Sequence, residues 1–152
     1  MGFSYMGLIV VCVILLPNLL FMAFPPKNVP EGLKDENILL TVMERAGQVG
    51  FIIIPIISYR YFSGIDFNIF PGIMIFSAIM YYGLWIRYFV RGREFCLLFK
   101  PLGFIPVPMA VFPIIYMIFA AIWLQHMWMG AAAVVFAVGH YFNSRKSYRY
   151  TI

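Results

Sequence analysis

Polar residues are so sparse along this chain that they divide it. Five apolar blocks, residues 3–24, 38–58, 69–90, 104–125 and 127–143, are separated by short polar connections. A helix needs ~20 mostly apolar residues to cross the hydrocarbon core of a bilayer. Each block reads as such a span, the last a short one. The expected fold is all-α: one polytopic integral membrane domain over residues 1–152, a bundle of five transmembrane helices. Gln125-His126 is the only polar break between the last two blocks, which predicts a tight turn there. Pro101, Pro106, Pro108 and Pro113 crowd the start of the fourth block. Proline frees backbone carbonyls that neighbours must then satisfy, so an irregular entry is expected. Just before it, Phe95, Leu97, Leu98 and Phe99 predict an interfacial turn over residues 94–99.

Within the second block the pattern breaks in one place. Asn37, Thr41, Glu44 and Gln48 share a helical face, and Arg45 stands beside Glu44. Ionisable groups at membrane depth are costly, and where they occur they face the bundle interior and often serve function. Other polar residues fall in the same layer. At about 1.5 Å rise per residue, Glu44 lies ~10 Å from the nearer end of its span, Asn18 ~9 Å, Tyr82 ~12 Å, and Arg87 and His140 ~5 Å each. Four spans thus bring polar groups to one half of the bundle, and the other half is almost purely apolar. In the fifth span Gly130, Ala133, Ala137, His140 and Ser144 share a face, and in the second Ala46 and Gly50 are spaced for close contact. Small residues let membrane helices approach, so these faces should pack against another span or a second copy of the chain.

Composition agrees with the block pattern. The chain is 63% hydrophobic and 11% charged, with a mean hydropathy of +0.89, where a soluble domain carries about 25% charged residues. The net charge of +5 does not signal a nucleic-acid partner, because the Lys and Arg residues gather at block ends. Their placement sets an orientation instead. Lys27 and Lys34, then Arg87, Arg91, Arg93 and Lys100, then Arg145, Lys146 and Arg149 all fall on one side of a five-span chain, and the 59–68 connection carries only Arg60. Positive residues stay inside. The N-terminus is therefore expected outside and the C-terminus in the cytoplasm, in a multi-pass protein of the cytoplasmic membrane. The first Lys is Lys27, so the first block reads as a retained helix and not as a cleaved signal, which would begin with positive charge. Tyr59, Tyr61, Trp85 and Trp128 fit interfacial belts.

The candidate ligand-binding residues are Asn18, Glu44, Arg45, Gln48, Tyr82, Arg87 and His140. Glu44 would hold a cation or proton, or orient a polar head group. Arg87 would tune Glu44, meet an anionic group, or form a structural ion pair with Glu44. The leading expectation is a small protein that binds or transports a small or amphiphilic ligand in a cavity of the cytoplasmic half. The alternatives are a membrane enzyme acting on a lipidic substrate, with Glu44 or His140 as acid–base group, and a partner subunit in which these residues only fix helix packing. No phosphate loop, dinucleotide fingerprint, HExxH or CxxC is present, so no motif names a reaction or a cofactor. His126 and His140 lie at opposite ends of one block and do not share a metal in a single chain. Cys12 and Cys96 read as small hydrophobes.

Overall fold

The computed structural model describes residues 2–30, 37–58 and 68–151, and these form five α-helices without a strand. The helices are α1 (Tyr5–Ala23), α2 (Ile38–Ile57), α3 (Ile69–Val90), α4 (Pro108–Trp123) and α5 (Met127–Arg149), with a short 3-10 turn at Phe95–Leu98 between α3 and α4. Arg60, Tyr59 and Tyr61 lie outside the described residues, as does Lys34. Of the described helices, α1, α2 and α3 are long and apolar enough to cross a membrane. α4 is apolar but has 16 residues.

Local chemistry sets the helix ends. Ser4, Asn37, Asn68 and His126 each cap a helix N-terminus by accepting a backbone N–H with a side-chain atom, which satisfies donors that the first turn leaves open. α4 has no such cap. It starts at Pro108, four residues later than the apolar block suggests, after a turn in which Leu102 and Ile105 exchange backbone hydrogen bonds. Pro106 and Pro108 disfavour helix in the residues before them, and Val107 enters the helix with a left-handed φ of 43°. α5 runs past the apolar block to Arg149, where Arg145, Lys146 and Arg149 are good helix formers and Lys146 and Arg149 suit the last turn. At the Gln125-His126 break the chain does turn tightly, with Gln125 left-handed and His126 the cap.

Sequence neighbours alternate in direction, and the five helices close into a ring in the order α1, α2, α5, α4, α3. α2 and α5 are the most intimate pair. A Cβ on Gly139 would lie 2.5 Å from the Leu40 carbonyl and from the Glu44 nitrogen, and one on Gly47 would strike the backbone of Phe136. Only glycine permits that approach. On α5 the buried positions are Met129, Ala133, Phe136 and Gly139, with Ala137 and Ser144 half-buried. Ala133 of the expected face is buried, but the packing line runs on through Met129, Phe136 and Gly139 instead of Gly130, Ala137 and Ser144. α1 meets α2 where Gly7 sits on Pro55, and it reaches α4 through the Tyr116 hydroxyl, which donates to the Val10 carbonyl at 3.0 Å. The outward surface is apolar: Ile9, Leu16, Ile53, Ile75, Ile79, Ile86 and Val134 are all exposed.

The alternation carries the C-terminal ends of α1, α3 and α5 to one end of the bundle, the basic end. There Lys27 exchanges backbone hydrogen bonds with Arg93 and Phe95, and the Asn28 amide donates to Glu94 at 2.7 Å. This ties the exit of α1 to the connection between α3 and α4.

Candidate functional site

The ring is not filled along its whole length. Toward the basic end it encloses a cavity of about 520 Å³, to which all five helices and the 3-10 turn contribute. Its walls are mostly apolar: Ile14 and Phe21 from α1, Phe51 from α2, Leu98 and Phe99 beside the 3-10 turn, and Met117 from α4. Small and bent positions on α4, Ala110 and Pro113, leave the room.

The polar side of the cavity is built on the α2–α5 contact. Because Gly139 brings the two backbones together, Glu44 of α2 reaches across to two residues of α5. His140 Nδ1 lies 2.8 Å from one carboxylate oxygen, and the Asn143 amide donates to the other at 2.7 Å. The imidazole lies flat on Phe136, with ring centroids 4.7 Å apart and 20° between planes. Glu44 and His140 keep a quarter of their side-chain surface accessible, and both line the cavity. Arg45 and Gln48 continue this wall along α2, and Ser144 along α5. Gln48 makes no side-chain hydrogen bond among the described residues. Across from it, Asn18 of α1 accepts a hydrogen bond from the Tyr81 hydroxyl of α3 at 3.2 Å. Trp85, one turn on from Tyr81, packs its edge on Phe21 at 5.8 Å.

Five of the seven sequence candidates, Asn18, Glu44, Arg45, Gln48 and His140, line this one cavity. The other two do not. The Tyr82 hydroxyl turns to α1 and donates to the Val13 carbonyl at 2.7 Å, and its neighbour Tyr81 faces the cavity instead. Arg87 makes no pair with Glu44. Its guanidinium donates to the carbonyls of Leu97 at 3.1 Å and Lys100 at 3.3 Å, holding the connection that follows its own helix. The reason is position. Arg87 sits in the last turn of α3, beside the connection whose carbonyls it reaches, and Glu44 is already satisfied by α5. The stripe on α2 is also shorter in effect than in sequence. Asn37 is spent as the cap, and Thr41 faces a shallow outer groove with Val42, Ala46 and Val49. Trp85, expected in an interfacial belt, is 6% exposed and belongs to the core. Trp128 is exposed, as a belt residue would be.

Sequence reasoning passed over Asn143, chose Tyr82 over its neighbour Tyr81, and gave Trp85 to the belt instead of the cavity wall. Asn143 carried a usable signal, since it stands one turn after His140 and shares its face. Among the described residues no group of His, Cys, Asp and Glu is arranged to hold a metal ion. No family model, curated protein or solved structure matches this chain, so the chemistry of the site has to be read from its own geometry.

Proposed function

We propose that this is a five-span protein of the cytoplasmic membrane, with its basic end inside, that binds an amphiphilic small molecule in the cavity between its helices. The single observation that carries the reading is the make-up of that cavity: apolar walls from all five helices, and one polar wall where Glu44, His140 and Gln48 stand together. An apolar tail suits the first, a polar head the second. A purely structural ion pair needs no empty space beside it. The membrane setting is supported by the apolar outward surface and by the gathering of Lys27, Arg91, Arg93, Lys100, Arg145 and Arg149 at one end. With the N-terminus outside, the cavity lies in the cytoplasmic half. The small residues of α5 find their contacts within the chain, so the proposal needs no second copy.

One observation favours a second reading. A carboxylate holding an imidazole at 2.8 Å beside a cavity is the arrangement of an acid–base pair, which would suit an enzyme acting on a lipidic substrate. The test for binding is mass spectrometry of the intact protein released from mild detergent. A retained small molecule that is lost on Gln48→Leu or Phe51→Trp supports the proposal, and a protein that never carries one counts against it. The enzyme reading adds that the retained molecule is chemically turned over. Reporter fusions after Tyr150 and within residues 59–67 test the orientation, and matching signals would exclude five spans.

A further inference from the structure

This inference rests on the cavity being a ligand site, and it concerns the chemistry of the ligand's head. Both oxygens of Glu44 accept hydrogen bonds, one from His140 and one from Asn143. A carboxylate has no proton to give, so Nδ1 of His140 carries the proton in this contact. The neutral ring then holds its lone pair on Nε2. That nitrogen has no hydrogen-bond partner among the described residues. Stacking on Phe136 and the bond to Glu44 fix the ring, so Nε2 keeps one direction. The result is a preorganised acceptor on the wall of a largely apolar cavity. An acceptor there is costly to leave without a donor once water is displaced.

We propose that the ligand is a neutral amphiphile with a hydroxyl head, an alcohol or a phenol, and that His140 Nε2 accepts its hydrogen bond. Glu44 and Asn143 act as positioning residues that fix the tautomer. The Gln48 amide, which makes no side-chain hydrogen bond among the described residues, stands on the same wall to meet the hydroxyl oxygen. An anionic head seated on Nε2 would face a lone pair backed by the Glu44 charge. The other titratable groups on the cavity wall are Arg45 from α2 and Tyr81 from α3. The lining residues of α1, α4 and the 3-10 turn carry none.

The experiment compares 4-octylphenol with its methyl ether, 4-octylanisole, on the full chain in lipid nanodiscs. Binding is measured above that of empty nanodiscs. Wild type should bind the phenol about tenfold more tightly than the ether, the worth of one buried neutral hydrogen bond. His140→Phe keeps the stacking surface but should bring the two to within about twofold. The phenol-to-ether comparison on wild type needs no folded variant. Equal binding of phenol and ether at neutral pH overturns the inference and leaves the cavity as a site. A preference that survives in His140→Phe overturns it too. Binding of neither compound overturns the proposed function itself.

Discussion

The two ends of the bundle handle polar groups in opposite ways. At the end away from the basic residues Ser4, Ser58 and His126 each close a local contact. Ser4 is buried and caps α1. Ser58 donates to the Ile54 carbonyl, and its oxygen lies 3.0 Å from His126 Nε2. His126 accepts the Met129 N–H with Nδ1 and so caps α5. The backbones of Gly2 and Ser4 bond to the end of α2. Toward the basic end, by contrast, His140 and Gln48 keep bonding capacity unused beside an open volume. The same residue type, histidine, is a latch in one place and an available acceptor in the other. Burial and partner count separate the two settings here better than residue identity does.

Closing the ring depends on glycine, so the largest effect should come from filling its contacts. Gly139→Ala and Gly47→Ala force α2 and α5 apart and should each cost about 3 kcal/mol or more, read as a large fall in thermal midpoint in detergent. Gly83→Ala, with open space around the new methyl group, should be neutral or stabilise by up to about 1 kcal/mol. Equal losses at all three positions would show that the α2–α5 contact is not special.

Removing Glu44 should come next. Glu44→Leu leaves His140 and Asn143 without their acceptor and should cost about 1–3 kcal/mol. Gln48→Leu, which strands no partner, should leave stability within about 0.5 kcal/mol of wild type and abolish ligand retention. A large loss of stability in Gln48→Leu would erase the distinction between the two wall residues.

At the opposite end the latch should be sensitive to acid. Burial holds the His126 imidazole below its usual range. The folded chain therefore resists a proton that the unfolded chain accepts, and stability is full above about pH 6.5 and falls as pH drops through it. Protonation also removes the Nδ1 acceptor from the α5 cap. Thermal midpoints at several pH values should show this decline. His126→Asn, which keeps a capping oxygen, should flatten it, and an unchanged slope would place the titration elsewhere. The smallest effect should be that of Ser58→Ala, about 1 kcal/mol for a lost hydrogen-bond acceptor, with cavity binding intact.

The sequence by itself determined the helices. Block length and apolar content placed α3 at its observed limits and α2 within one residue, because those properties are local and the ends are marked by Asn37 and Asn68. It also brought most of the site to one layer, since rise per residue and alternating direction fix depth. Tertiary structure alone decided who faces whom. Depth carries no azimuth: Tyr82 and Tyr81 share a layer, and only the packing of α1 against α3 turned one to a backbone carbonyl and the other to the cavity. Charge complementarity suggested Arg87 for Glu44, but contact needs proximity as well as opposite sign. The approach of α2 to α5 at Gly47 and Gly139 gave the carboxylate to His140 and Asn143, because two backbones in contact leave neighbouring side chains no other partner within reach.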